Sequence, residues 1–227
     1  MDNAAVGHPI DLPQGESLVL LDRAVYVPAY QALLLSDLHL GKAETFQMAG
    51  IPVAQQVNEE TLERLRSHCH QVTPQQIFVL GDLFHSRQGM VEEVKVAWSQ
   101  FLKNTGASVT LIVGNHDRSA SLERIFEMTY SLHPVSLGKL LLSHEPVGLD
   151  TLPRDHLNIC GHVHPVVRLQ SSIDRLRLPC FYHEHQTQQL ILPSFGSFTG
   201  GYEVTLGYGY TAYLTVEGRL MVLDASS

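Results

Sequence analysis

The stretch QALLLSDLHLG, residues 31–41, decides how the rest of the chain is read. Four apolar residues, Ala32 to Leu35, run without alternation into Ser36 and the polar Asp37-Leu38-His39. An apolar run of strand length with no polar face is buried on both sides, as the strands of a parallel sheet are. The reading is a strand over Ala32–Ser36 that ends in a polar loop. The same form returns in QQIFVLGDLFH, residues 75–85, and in ASVTLIVGNHDR, residues 107–118, with strands over Ile77–Leu80 and Val109–Val113. Between them Val57, Thr61, Leu62, Leu65 and Cys69, and then Val91, Val94, Trp98, Phe101 and Leu102, recur at helical spacing. Strands joined by crossover helices predict an α/β fold whose loops gather in one crevice at the carboxyl ends of the strands. Beyond Leu132 the segments KLLLSH, RLRLPCFYHE, QQLILPS and GYTAYLTVEGRLMVL predict short strands of a second sheet packed on the first.

Composition bounds the function. The chain has 227 residues and 44% hydrophobic content, enough for one sizeable core, and it reads as one domain over 1–227 without linkers or repeats. No apolar run reaches membrane-span length, and MDNAAVGHPIDLPQGES has no basic start followed by an apolar stretch, so a soluble cytoplasmic protein is expected, with no membrane partner. Three cysteines, Cys69, Cys160 and Cys180, without CxxC spacing suit a reducing compartment and argue against a disulfide or zinc-knuckle framework. A net charge of -8 excludes a broad basic surface that coats nucleic acid, while leaving room for a small cationic site.

The strand ends carry the chemistry. After the first strand come Asp37 and His39, after the second Asp82, after the third Asn115, His116 and Asp117, after KLLL comes His144, and after NIC come His162 and His164. Carboxylate, amide oxygen and imidazole are the ligands of borderline-hard divalent ions such as Mn, Fe or Zn. If NICGHVHPV, residues 158–166, is extended, strand alternation turns His162 and His164 to one face with Cys160 in line. Such a set exceeds the needs of one ion, two nearby ions repel, and a shared carboxylate relieves the repulsion. Asp82, at the end of a central strand, is the candidate bridge.

The ordered series Asp37-x-His39, Gly81-Asp82, Gly114-Asn115-His116-Asp117, His144 and Gly161-His162-x-His164 resembles the calcineurin-like binuclear metallophosphoesterases. That resemblance implies a four-layer α-β-β-α sandwich of two mixed sheets. It implies one ion on Asp37, His39 and His164, a second on Asn115, His144 and His162, Asp82 shared, and His116 beside the substrate. LLLSDLHLGKAETFQMAGIPV, VLGDLFHSR and LPSFGSFTGG further resemble the ligase-associated DNA damage response endonucleases, a bacterial branch of that superfamily. The implied activity is manganese-dependent cleavage of DNA phosphodiesters, single-stranded above all, in repair. The implied partners are DNA, a DNA ligase and a helicase of the same pathway, and a homodimer is compatible with it. His85 stands where many superfamily members carry Asp or Asn, so it is read as a catalytic candidate, either a hydrogen-bond donor to substrate or a support for a neighbouring ligand.

Hydrolysis of a phosphodiester needs a strong nucleophile, neutralised nonbridging oxygens and a protonated leaving group. Two divalent ions with Asp37, Asp82 and a bridging hydroxide leave one net positive charge, an anion receptor. His116 is the candidate acid, with Asp117 either its orienting partner or a structural tie for the loop. Lys42, Arg87, Arg118 and Arg168 follow the motif loops and are read as a cationic rim or as solvated loop charge, with Lys42, Arg118 and Asn115 the candidates for substrate contact. Phe198 in FGSFTGG is a candidate stacking platform or part of a set of turns. His183-Glu184-His185 is read as surface strand. Two rival functions stand beside the nuclease: a small-molecule phosphomonoesterase or cyclic-nucleotide phosphodiesterase on the same fold, and a metal-free scaffold like that of retromer, which the complete ligand set disfavours.

Overall fold

The computed structural model describes residues 7–13, 15–54, 56–119, 122, 125–170, 175–197 and 199–224. In chain order the strands and helices are β1 His8–Asp11, β2 Ser17–Leu20, β3 Val25–Val27, β4 Ala32–Leu35, α1 Lys42–Met48, α2 Val57–Val72, β5 Gln76–Val79, α3 Glu92–Thr105, β6 Ser108–Ile112, β7 Thr129–Ser131, β8 Val135–Leu137 and β9 Leu140–Leu142. They continue with β10 Leu157–Cys160, β11 Pro165–Gln170, β12 Arg175–Glu184, β13 Gln189–Ile191, β14 Tyr202–Glu203, β15 Tyr210–Val216 and β16 Arg219–Asp224.

The first sheet runs β1-β2-β3-β4-β5-β6-β7, antiparallel up to β4 and parallel from β4 to β7. Leu35 lies opposite Val79 and Val79 opposite Leu111, so the three polar loops begin side by side. The second sheet runs β14-β11-β12-β13-β10-β9-β8, with β15 and β16 added beside β12. Ile159 lies opposite Leu142 in parallel register, which sets the loop after β9 beside the loop after β10. Both sheets are mixed, as the α/β reading expects.

Residues of alternate parity in the buried strands face different layers. Leu33, Leu35, Ile77, Val79, Val109 and Leu111 pack against α2 and α3 through Leu62, Leu65, Trp98 and Phe101. Leu34, Phe78, Leu80 and Ile112 face the second sheet and meet Leu140, Leu142, Leu157, Ile159, Phe181 and Leu190. Full burial of each such side chain stabilises by roughly 1.5–3 kcal/mol. The outer face of the second sheet is also covered. Among the described residues it is covered by Val163, Val204 and Leu206, packed on Cys160, Tyr182 and Cys180, rather than by a helix. The described residues include no helix long and apolar enough to cross a membrane.

Two local expectations are corrected. The segment from Asn158 to Val166 is not one strand: β10 stops at Cys160, and His162 and His164 take left-handed backbone angles (φ 66° and 52°) before β11 starts at Pro165. Strand alternation therefore does not set their directions. His183 is not a surface residue either. It shares a face with Phe181, which packs between the sheets, and is itself 7% exposed. Burial, with the neighbouring His185, pushes its pKa down to about 4. His185 is exposed and meets Thr211 Oγ1 at 2.9 Å.

Candidate metal centre

Five of the candidate ligands stand on left-handed backbone: Asp37 (φ 57°), His39 (50°), Asp82 (52°), His162 (66°) and His164 (52°). For a residue with a Cβ this conformation costs on the order of 1 kcal/mol or more, and it persists where the surroundings enforce it. Here the loops are locked to one another. Asp37 N donates to Gly81 O at 3.1 Å, His39 N to Asp82 O at 3.0 Å and Leu40 N to Leu83 O at 2.9 Å. Gly81 has φ 84° and leaves no room for a Cβ, because the His144 ring lies against it. At Gly161 a Cβ would collide with Ser36 Oγ. Glycine there lets β10 end directly over Asp37, and His162 N donates to Asp37 Oδ2 at 3.0 Å.

The side chains form two groups with one carboxylate between them. Asp37, His39 and His164 make the first, and Asp82, His144 and His162 the second. Asp82 Oδ1 lies 3.5 Å from His144 Nε2, and its Oδ2 lies 4.0 Å from His39 Nε2. Asn115 closes the second group, with Oδ1 at 2.9 Å from His144 Nε2. His162 Nδ1 approaches the same His144 nitrogen to 3.2 Å. A third group, His39, His85 and His116, adjoins the first.

Backbone carbonyls fix which nitrogen is available. A carbonyl only accepts, so His144 Nδ1 carries the proton that it donates to Leu80 O (2.9 Å), His164 Nδ1 donates to Gly200 O (3.2 Å) and His116 Nδ1 to His85 O (2.7 Å). Each ring presents Nε2 to the centre, the arrangement that carbonyl partners impose on metal-ligating imidazoles.

The donor set fits divalent cations. Asp37 Oδ1, both nitrogens of His39 and His164 Nε2 are buried with no hydrogen-bond partner. His164 Nε2 and Asp37 Oδ1 approach to 2.9 Å, yet neither is aligned for a hydrogen bond; they converge on a shared point. Burial drives His39 down to about 3, with the charge of Asp37 opposing, so the ring is neutral and ready to ligate at neutral pH. Burial, and the like charge of Asp37, raise the pKa of Asp82, while His144 and the His116 N–H oppose them. The buried carboxylates of Asp37 and Asp82 concentrate negative charge at the centre, and divalent ions would balance it. Asp37, His39 and His164 could hold one ion and Asn115, His144 and His162 another.

Residues 30–190 match the family described as calcineurin-like phosphoesterase. The chain belongs to the calcineurin-like phosphoesterases. Members of this family are metal-dependent phosphoesterases that use divalent ions, and the fold of two mixed sheets is the metallophosphoesterase fold. Among solved structures, the nuclease MPE of Pseudomonas putida is similar over 95% of this chain and 98% of that one, at 35% identity and a TM-score of 0.80. A protein of unknown function, AQ665, from Aquifex aeolicus matches at 21% identity over 59% of this chain and 78% of that one, with a TM-score of 0.40. Yfce, a phosphoesterase from E. coli, matches at 17% identity over 86% and 99%, with a TM-score of 0.46. No curated protein matches.

Around the centre of this phosphoesterase several readings are decided. Asp117 does not orient His116. Its buried carboxylate accepts from Asp82 N (2.8 Å), Gly114 N (3.0 Å) and Phe84 N (3.3 Å), tying the loop after β6 to the loop after β5. Burial pushes Asp117 up to about 6 even so, the three N–H donors opposing and the charge of Asp82 adding. His85 lies parallel to His116 (centroids 5.1 Å, 24°) and stacks on Phe46 of α1 on its other side (6.2 Å). Burial, then the charges of Lys42 and His116, lower it to about 4. Lys42 is the first residue of α1 and is half-buried; burial lowers its pKa, and its charge is felt by His39 and His85. Arg118 is exposed over a concavity of about 260 Å³ lined by Leu132, Pro134, His144 and Pro146. Arg168 is paired with Glu203 at 2.9 Å and Arg87 is exposed. Phe198 lies outside the described residues.

Sequence reasoning missed Ser36, whose hydroxyl donates to Asp37 Oδ2 and also meets Leu80 O at 3.0 Å, and Ser194, whose hydroxyl donates to the Asp37 carbonyl at 2.8 Å. A lone serine before a ligand or in a turn carries no periodic signal that could have found either.

Proposed function

We propose that this phosphoesterase hydrolyses phosphodiesters of DNA, single-stranded in preference, with two manganese ions. The observation that carries the reading is the position of Asp82, whose two oxygens face the two ligand groups. The likeness to the Pseudomonas putida nuclease supports a nucleic-acid substrate. On this reading Asp37, His39 and His164 would hold one ion, Asn115, His144 and His162 would hold the other, and Asp82 would be shared between them. When bound, such ions neutralise nonbridging phosphate oxygens and lower the pKa of water.

The protein's own groups do the rest. Asn115 contributes an oxygen without charge, which keeps the centre positive enough for a phosphate anion. His116 hands a proton from Nε2 to the leaving oxygen; its Nδ1 proton is engaged by the His85 carbonyl, so the transferable one sits on the side that faces the centre. Its N–H donates to Asp82 Oδ1 at 3.0 Å, which fixes the loop that carries it. His85, stacked on His116, contacts the substrate phosphate or holds His116 in plane. Lys42 and Arg118 meet the flanking phosphates. The whole chain acts as one domain in the cytoplasm, in a repair setting where a DNA ligase and a helicase act on the same strands.

A phosphate monoester, an aryl phosphodiester and circular single-stranded DNA, assayed side by side in manganese, test the reading. It expects the diester and the DNA to be cut. Efficient monoester hydrolysis with intact circles would replace it by a small-molecule phosphatase.

A further inference from the structure

Asp37 does not hold its own backbone in place. Its carbonyl accepts from Gly196 N (3.1 Å) and Ser194 Oγ (2.8 Å), and the Ser36 carbonyl accepts from Phe195 N (2.9 Å). The 194–197 turn is therefore pressed flat against residues 36–38, close enough that a Cβ on Gly196 would strike the Leu38 carbonyl. The carbonyls of that turn are held by two arginines remote in sequence. Arg23, in the turn between β2 and β3, reaches Ser194 O at 3.4 Å and Gly196 O at 3.2 Å. Arg64, on α2, donates to Phe195 O at 2.7 Å and to Ser197 Oγ at 2.9 Å, and its guanidinium lies 5.6 Å from the centre of the Phe195 ring. Asp22 Oδ2, 3.3 Å from Arg64 Nε, holds the fork in register.

We propose that Arg23 and Arg64 are positioning residues of the phosphoesterase, which clamp the 194–197 turn and through it set where Asp37 sits relative to its ion. The proposal rests on the reading of Asp37 as a ligand. A guanidinium grips two acceptors at fixed spacing, which a flexible ammonium does not. Arg23 and Arg64 also repel: burial first, then the charge of Arg64, lowers the pKa of Arg23, with Asp22 countering. Two neighbouring cations spent on three consecutive carbonyls are an expensive way to close an ordinary turn. The arrangement is explained when that turn is the floor under a buried ligand on strained backbone. Partners of this outer kind change metal affinity by about 10–100-fold when removed.

The test measures manganese binding calorimetrically in the wild type, Arg64→Met, Arg23→Met and Ser194→Ala, alongside thermal unfolding in chelator. Ser194→Ala keeps both arginines and removes the hydroxyl that meets the Asp37 and Gly196 carbonyls, so it tests the link from the turn to Asp37 even if an arginine variant does not fold. The expected result is two ions in the wild type and, in the variants, one ion bound about 10-fold more weakly with the other unchanged. Two ions bound with wild-type affinity in Ser194→Ala, or in every arginine variant that folds, would overturn the clamp, whatever happens to the melting temperature. A wild type that binds no ions would instead overturn the reading of the centre.

Discussion

His164 Nε2 lies 2.9 Å from Asp37 Oδ1, a half-buried base against a fully buried acid. Burial alone would raise the Asp37 pKa, but the contact and charge of His164, the charge of His144 and the Ser36 hydroxyl outweigh it, and the net shift is downward from 3.8. Burial alone would lower His164, and Asp37 outweighs it, so its net shift is upward from 6.5. Each group therefore favours the charged form of the other.

That pair sets a pH window. The depressed Asp37 contributes stability above 3.8 that is lost as pH falls through its lower folded value. The raised His164 contributes stability in full below 6.5 that is lost as pH rises through its higher folded value. The melting-temperature loss caused by His164→Gln in chelator should therefore be greatest below 6.5 and shrink as pH rises, while the buried His39, His85 and His183, lowered to about 3 or 4, push the total stability the other way. Manganese competes with a proton for His164 Nε2, so calorimetry in buffers of different ionisation enthalpy should register a proton release that grows as pH falls. A His164→Gln loss that stays constant from pH 5 to 8 contradicts the pairing.

Asp82→Asn should abolish the bridge. An amide offers one oxygen where the carboxylate offers two, and the two ligand groups lie on opposite oxygens of Asp82. Elemental analysis under saturating manganese should show a loss of bound metal, with activity down by about two orders of magnitude or more. Two ions retained in the variant would mean that the groups hold their ions independently.

The chemical types of the candidate ligands are legible because each follows an apolar strand, and the register that aligns Leu35, Val79 and Leu111 follows from parallel pairing. Their directions were not. Left-handed φ at Asp37 or His164 is imposed by hydrogen bonds to loops far away in the chain, so local propensity favours an extended reading of His162 and His164 that the fold overrides. Arg64 shows the same limit: its spacing on α2 says only that it is off the apolar stripe, while its partner Phe195 is 131 residues away.

Asp117 supplies a contrast between structure and catalysis. Asp117→Ala leaves the N–H groups of Asp82, Gly114 and Phe84 without an acceptor in a buried place. Unsatisfied buried donors cost about 1–3 kcal/mol each, so a loss of roughly 3 kcal/mol or more is expected in urea unfolding with chelator present. Asp117→Asn, which keeps one acceptor oxygen, should lose roughly half as much. An Ala variant as stable as wild type would show that the carboxylate is not what ties the two loops.

His116→Ala should keep both ions and lose turnover selectively. A sugar alkoxide must be protonated as it leaves, whereas a nitrophenolate leaves unaided, and general acid catalysis is worth about 10²–10⁴-fold. The variant should be slow on DNA and nearly normal on an aryl phosphodiester. Equal slowing on both would assign His116 to phosphate binding.

Salt dependence measures how many phosphates the protein neutralises. The chain carries a net charge of -8, Arg168 is committed to Glu203, and Lys42 and Arg118 are the cations best placed beside the centre. Two or three contacts on a single strand give a slope of log affinity against log salt of roughly -1.5 to -2, at about -0.7 per phosphate. Lys42→Met and Arg118→Met should each flatten that slope by about 0.7 and weaken binding alike for all sequences, since phosphates carry no base information. Binding to a fluorescent oligonucleotide with calcium in place of manganese gives the slope without cleavage. A slope steeper than about -4 would require a basic track that the rim beside this centre does not offer.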